Sequence, residues 1–213
     1  MQIPTALVKD TQEHTIQTLA NCFNNDVFQR YLCCDFLQIP DSEFGLSVNR
    51  QAFGEFVPTL VSDGAVCVTE PGSGVASVWK LEDFTGQPPA VEEHYPRVLA
   101  QVENLVFQVK QRAIAPPRKM LHLILIANDR ESVPSGGKKS SIKTVVMPML
   151  AMAKENGWLA VLEASSPKSR DVYKYLGFEV MEEVHVGVGE VDREGRRKEG
   201  GEGVTMWAMV FGL

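Results

Sequence analysis

The stretch WLAVLEASSPKSRDVYKYLGFEV, Trp158 to Val180, decides how the rest of the chain is read. Leu159 to Glu163 is an apolar run of strand length that ends in small polar residues. Ser166 is placed to cap a helix opening at Pro167, whose missing N–H and fixed φ suit a first helical position. The helix runs to about Leu176, and Gly177 supplies its stop. Phe178-Glu-Val180 then begins a second strand.

Working outward towards the N-terminus, Ser140 to Asn156 has a helical pattern ended by Gly157, after a polar connection from Asn128 to Lys139. Met120 to Ala127 is the most apolar strand of the chain and is expected at the centre of a sheet. Val91 to about Ala113 reads as a long amphipathic helix striped by Val98, Val102, Leu105, Val106 and Val109, broken by Ala115-Pro-Pro117. Gly64 to Glu70 and Val75 to Leu81 form a hairpin about Pro71-Gly-Ser-Gly74. Before it lie a short strand from Thr5 to Lys9 and helices over about Gln12–Cys22, Asp26–Cys34 and Val48–Leu60, with Pro58 at the fraying end of the last. Towards the C-terminus, a strand from Phe178 to Val188 and another from Val204 to Phe211 flank Gly189–Gly203, a charged, glycine-rich loop expected to be solvated and mobile.

Bulk properties remove several classes. The length of 213 residues suits one domain, 1–213, with a core that needs no staples. A net charge of −6 argues against a nucleic-acid binder. No apolar run is long enough for a membrane span, and the first residues lack the basic start and apolar block of a signal peptide, so a cytoplasmic location is expected. The spacing of Cys22, Cys33, Cys34 and Cys67 suggests neither a disulfide framework nor a zinc site, and no metal is expected.

Leu162-Glu-Ala-Ser165 followed by Val172-Tyr-Lys-Tyr-Leu-Gly-Phe178 resembles the C-terminal half of the GCN5-related N-acetyltransferase (GNAT) superfamily. The order of strands and helices over most of the chain resembles it too. The resemblance implies an α/β (α+β) fold, a mixed, mainly antiparallel seven-stranded sheet with helices on both faces, and an inserted helix before the central strand that walls the acceptor side. It implies acetyl-CoA as co-substrate, a small-molecule amine as acceptor, and direct attack in a ternary complex. Pairing of the last strands leaves a homodimer open.

Within that resemblance Tyr173 takes the position of the general acid, and its ordinary pKa of about 10 keeps it protonated at neutral pH. The backbone at Leu125 and Ile126 takes the position of the oxyanion donor, where two strands splay to admit the pantetheine arm. His122 and Glu70 are candidate bases, and Glu163, beside the cleft, is a third, although in relatives it usually belongs to the scaffold. The pyrophosphate loop, which relatives write Q/R-x-x-G-x-G/A, is degenerate. Alignment on Pro148-Met-Leu150 puts Gly137 at the first position, and Ser140 and Ile142 at the small ones; a one-residue shift puts Gly136 at the first, with Lys139 and Ser141 at the small ones, and neither register restores the motif. Two readings stay open. In one, the amides of Lys138 to Lys143, including Lys139 and Ser141, cradle pyrophosphate at a helix start, with lysine charge in place of close backbone approach, Ser140 or Ser141 as cap, and Ser166 completing the set. In the other, the fold serves a cyclisation or condensation without acetyl-CoA, or a silent binding module.

Overall fold

The computed structural model describes residues 1–88, 96–133 and 136–213. Its strands are β1 (Val8–Lys9), β2 (Val66–Thr69), β3 (Val75–Phe84), β4 (Arg118–Asn128), β5 (Leu159–Ala164), β6 (Glu179–Val186) and β7 (Val204–Phe211). They form one sheet in the order β1-β2-β3-β4-β5-β7-β6. Among these strands of the described residues, only the β4–β5 pair is parallel. The helices are α1 (Gln12–Cys22), α2 (Val27–Phe36), α3 (Leu46–Ser62), α4 (Arg97–Ala113), α5 (Lys143–Glu155) and α6 (Pro167–Tyr175). This is the mixed, mainly antiparallel seven-stranded architecture expected, with helices on both faces.

Apolar residues sort by alternation along each strand. Val68, Trp79, Leu121, Leu123, Leu162 and Met209 face α5 and α6, where Val145, Met149, Leu150 and Leu176 close the largest core. On the other face, α1 and α3 cover β2–β4 through Leu19, Phe53 and Val57, while α2 and α4 cover β6 and β7 through Tyr31, Val98 and Val109. The inserted helix is thus a wall against this second face. Its expected start at 91–95 lies outside the described residues, as do Glu92, Glu93 and His94.

Two features of β4 open the sheet. It pairs with β5 only from Met120↔Leu159 to Leu123↔Leu162, so its last five residues run free of that neighbour. Against β3, Val78 opposes Leu125 and Trp79 opposes Leu123, which leaves Ile124 as a bulge.

Some expectations need correction. Pro58 lies inside α3 rather than at its end, because the helix continues to Ser62. The first strand is reduced to two residues. The helix expected from Ser140 starts at Lys143; Ile142 is its N-cap, and no side chain caps it. The 189–203 loop is docked, not free. Arg197 donates to the carbonyls of Ile39 and Cys34, and its amide to Asp41. Glu190 accepts from Tyr31 Oη at 2.7 Å and from both terminal nitrogens of Arg97 at 2.8 Å. A Cβ on Gly195 would sit 2.1 Å from the Val27 carbonyl oxygen, so the loop lies directly on α2.

Candidate functional site

The gap between β4 and β5 has a different chemistry on each side of the sheet. On the α4 side, just below the gap, His122 of β4 meets Glu163 of β5, Nε2 to Oε2, at 2.8 Å. Its Nδ1 lies 3.4 Å from Glu82 Oε1 on β3. Lys110, on the last turn of α4 and itself buried, brings its ammonium 3.9 Å from Glu163 Oε1. The strand parity that turns Met120 and Val161 to this face also turns His122 and Glu163 there.

The four groups sum to zero charge when histidine is protonated, and their mutual attraction makes it so. Burial alone would lower the His122 pKa, but the Glu163 carboxylate beside it, with help from Glu82, raises it to about 9. Burial would raise both carboxyls. His122 and Lys110 instead hold Glu163 below its ordinary value and Glu82 down to about 2. Glu163 Oε1 nevertheless has no hydrogen bond, although it is buried. An orphaned carboxylate oxygen of this kind is a ready acceptor for a donor entering the gap.

Close by, Asp26 caps α2 by accepting from the Gln29 amide at 2.9 Å, and accepts from Ser165 Oγ at 2.7 Å at the end of β5. Burial pushes the Asp26 pKa up. Sequence reasoning missed Lys110, Glu82 and Asp26. The buried position of a lysine on the stripe of an amphipathic helix was the one available signal for the first; Asp26 reads in the sequence only as a helix start, and nothing local marked Glu82.

On the α5–α6 side, Tyr173 is packed against Phe178, edge to face, with ring centroids 5.9 Å apart. It is 8% exposed, its hydroxyl makes no hydrogen bond to the described residues, and burial pushes its pKa up. It therefore stays a proton donor. The helix that carries it begins with a capping box: Ser166 Oγ accepts from the Ser169 amide, and Ser169 Oγ from the Ser166 amide, both at 3.1 Å. Tyr175 points away and is 78% exposed, as its place on the other helix face requires.

Leu125 and Ile126 lie on the freed half of β4, with Ile126 against the α5 side. The loop after β4 is stitched to the β2–β3 turn. The Asp129 amide donates to the Gly74 carbonyl at 2.8 Å, and the Lys138 amide to that of Gly72 at 2.9 Å. Gly74 must be glycine, since a Cβ there would lie 2.2 Å from the Asp129 oxygen. Gly137 precedes this anchor, and Lys139 is exposed. The amides of Ser141, Ile142 and Lys143 have no acceptor among the described residues, as at any uncapped helix start.

Glu70, a candidate base, lies at the end of β2 and its side chain meets this loop. It is 8% exposed, forms an ion pair with Lys138, and lies beside the Ser140 and Thr144 hydroxyls. Burial favours its neutral form, but Lys138 and those hydroxyls outweigh it and hold the pKa down at about 2. It belongs to the α5 side of the sheet, away from His122 and Glu163. Ser140 and Ser141 are not caps of α5, which is a further correction.

The comparisons with known proteins agree with this fold. Over 96% of its length the chain superposes on arylalkylamine N-acetyltransferase 7 of the mosquito Aedes aegypti, with a TM-score of 0.59, 14% identity and 86% of that chain covered. The fold is that of the GNAT superfamily. A polyamine N-acetyltransferase of Drosophila melanogaster matches at a TM-score of 0.53 and 13% identity, over 97% of this chain and 99% of that one. The C-terminal condensation domain of Ebony, in complex with beta-alanyl-dopamine, matches at a TM-score of 0.52 and 15% identity, over 96% of each chain. In sequence, an uncharacterized protein of Saccharomyces cerevisiae is 23% identical over 196 residues, 92% of this chain and 81% of that protein. No protein-family model matches the chain. Among the described residues there is no group of three or more His, Cys, Asp or Glu fit to hold a metal, and no helix is long and apolar enough to cross a membrane.

Proposed function

We propose that this GNAT-fold protein is an N-acyltransferase, taking an acetyl or other acyl group from acyl-CoA to a small-molecule amine in a ternary complex in the cytoplasm. The observation that carries this reading is the gap beyond Leu123 and Leu162, with an orphaned carboxylate oxygen on one side and a protonated tyrosine on the other. The pantetheine thioester enters by that gap in this reading. Its pyrophosphate fits the unpartnered amides of Ser141 to Lys143, with Lys139 and Lys143 adding charge.

The backbone at Leu125 and Ile126 is freed from β5 and can donate to a developing oxyanion. The amine reaches Glu163 Oε1 as a hydrogen-bond donor, beside the Lys110 ammonium. The His122–Glu163 pair takes its proton, and the two share it as one coupled acid–base unit. Because this unit rests protonated up to about pH 9, kcat/KM is expected to rise with pH towards that value. Tyr173 donates a proton to the departing thiolate. Its substitution by Phe is expected to lower kcat by about 100-fold or more while leaving the fold intact.

A second reading, condensation without acetyl-CoA, is supported by the engagement of Lys138 with Glu70 and by the Ebony domain's place among the structural neighbours. One experiment separates them: thermal unfolding with millimolar acetyl-CoA, followed by turnover on arylalkylamines, agmatine and polyamines. A rise of several degrees with turnover supports acyl transfer. No shift and no turnover refutes it and favours the second reading.

A further inference from the structure

The degenerate loop contains its own anion. Glu70 reaches from the end of β2 to the first turn of α5, where the helix dipole already favours negative charge. It holds the ammonium of Lys138, a residue whose own side chain is 65% exposed. Around it the polar bookkeeping is incomplete. Glu70 Oε2, Ser140 Oγ and Asn128 Oδ1 are all buried without a hydrogen bond, although Asn128 Nδ2 donates to the Ser140 carbonyl at 2.9 Å. Glu70 and Ser140 are each more than nine-tenths buried, at 8% and 6% exposure. The two oxygens of Glu70 and Asn128 can only accept, so the Ser140 hydroxyl, which lies beside Glu70, is the one donor among them that an arriving anion could take.

Resting on the acyl-CoA reading, we infer that Glu70 sets coenzyme affinity by competing with the pyrophosphate for Lys138 and Ser140. With the site empty, Lys138 is neutralised by Glu70. When pyrophosphate arrives, Lys138 turns outward to it, and the Ser140 hydroxyl is free to donate to whichever anion remains unsatisfied. The small residues of the usual loop give close backbone approach at no charge cost. Here a cation replaces that approach, and an internal carboxylate restrains the cation. No covalent step is involved.

The test is titration calorimetry with coenzyme A itself, on the wild-type chain, Glu70→Gln and Lys138→Ala, with circular dichroism melts to confirm folding. Glu70→Gln frees the lysine and keeps the side-chain shape; it is expected to bind about tenfold tighter. Lys138→Ala alters an exposed side chain and leaves Glu70 uncompensated; it is expected to bind about tenfold weaker. If the wild-type chain binds coenzyme A and Glu70→Gln binds no tighter, the inference falls while the acyl-CoA reading stands. The same holds if Lys138→Ala binds as well as wild type. Binding by Glu70→Gln alone would be its strongest support. If no folded variant binds at millimolar coenzyme, both fall together.

Discussion

The two strands that flank the gap are each followed by a helix, and the two junctions are built on opposite principles. After β5 the chain needs only Ser165 and Ser166 before α6 begins, and the start is secured locally by a reciprocal capping box with Pro167 inside it. After β4 it needs residues 129–142 before α5 begins, with no side-chain cap. That path is secured at a distance, by the β2–β3 turn through Gly72, Gly74 and Glu70. A junction of the first kind keeps its shape whatever surrounds it. A junction of the second kind can answer to a ligand, because its groups are satisfied by partners that can be exchanged.

The substitution expected to cost most strikes both walls at once. His122→Gln leaves Glu163 and Glu82 with only Lys110 as counter-charge and should cost about 3–5 kcal/mol in urea unfolding. A loss below about 1 kcal/mol would show that the walls are not tied there. The same group gives a pH signature. The folded His122 pKa of about 9 exceeds its ordinary 6.5, so its contribution is complete below pH 6.5 and disappears as pH rises through 9. The wild-type melting temperature should fall across that window, and the fall should be absent in His122→Gln.

Gly74→Ala separates the junctions. It should cost about 2–3 kcal/mol and speed tryptic cleavage at Lys138 and Lys139, without loosening α6. Ser166→Ala tests the other side, with a loss of about 1 kcal/mol from the broken capping box. Ser140→Ala is the matched control. Its hydroxyl caps nothing and serves only Glu70, which keeps its ion pair with Lys138, so the loss should stay below that of Ser166→Ala in the same melts. A cost equal to that of Ser166→Ala would erase the contrast between the two junctions.

This contrast also explains what could be read from the chain beforehand. Ser166, Pro167 and Gly177 act on their own neighbours, so strand, helix and stop after Trp158 were all legible, as was the central place of Met120 to Ala127. The start of α5 was not, because Ile142 has no capping side chain and its neighbours are placed by contacts with a turn some 65 residues earlier in the chain. The composition of 189–203 suggested a free loop for the same reason: its glycines looked like slack, whereas Gly195 and Gly203 permit close backbone contact. At the site, His122 and Glu163 were visible as chemistry. Their union was not, since it depends on parallel register, and Lys110 is brought in by a helix whose packing face had to be seen.

The bulge at Ile124 has one more consequence. Counting from the start of β4, even-numbered residues such as Met120 and His122 face α4, and odd-numbered Leu121 and Leu123 face α5. Past the bulge the rule inverts: Leu125 and Ala127 join the α1–α3 core, and Ile126 joins the α5 core. β4 is therefore a message with a frameshift in it. Each half obeys simple alternation, no single alternation describes both, and the point of changeover is where the sheet opens. An inside–outside pattern copied through that point without the extra residue would send every later side chain to the wrong side.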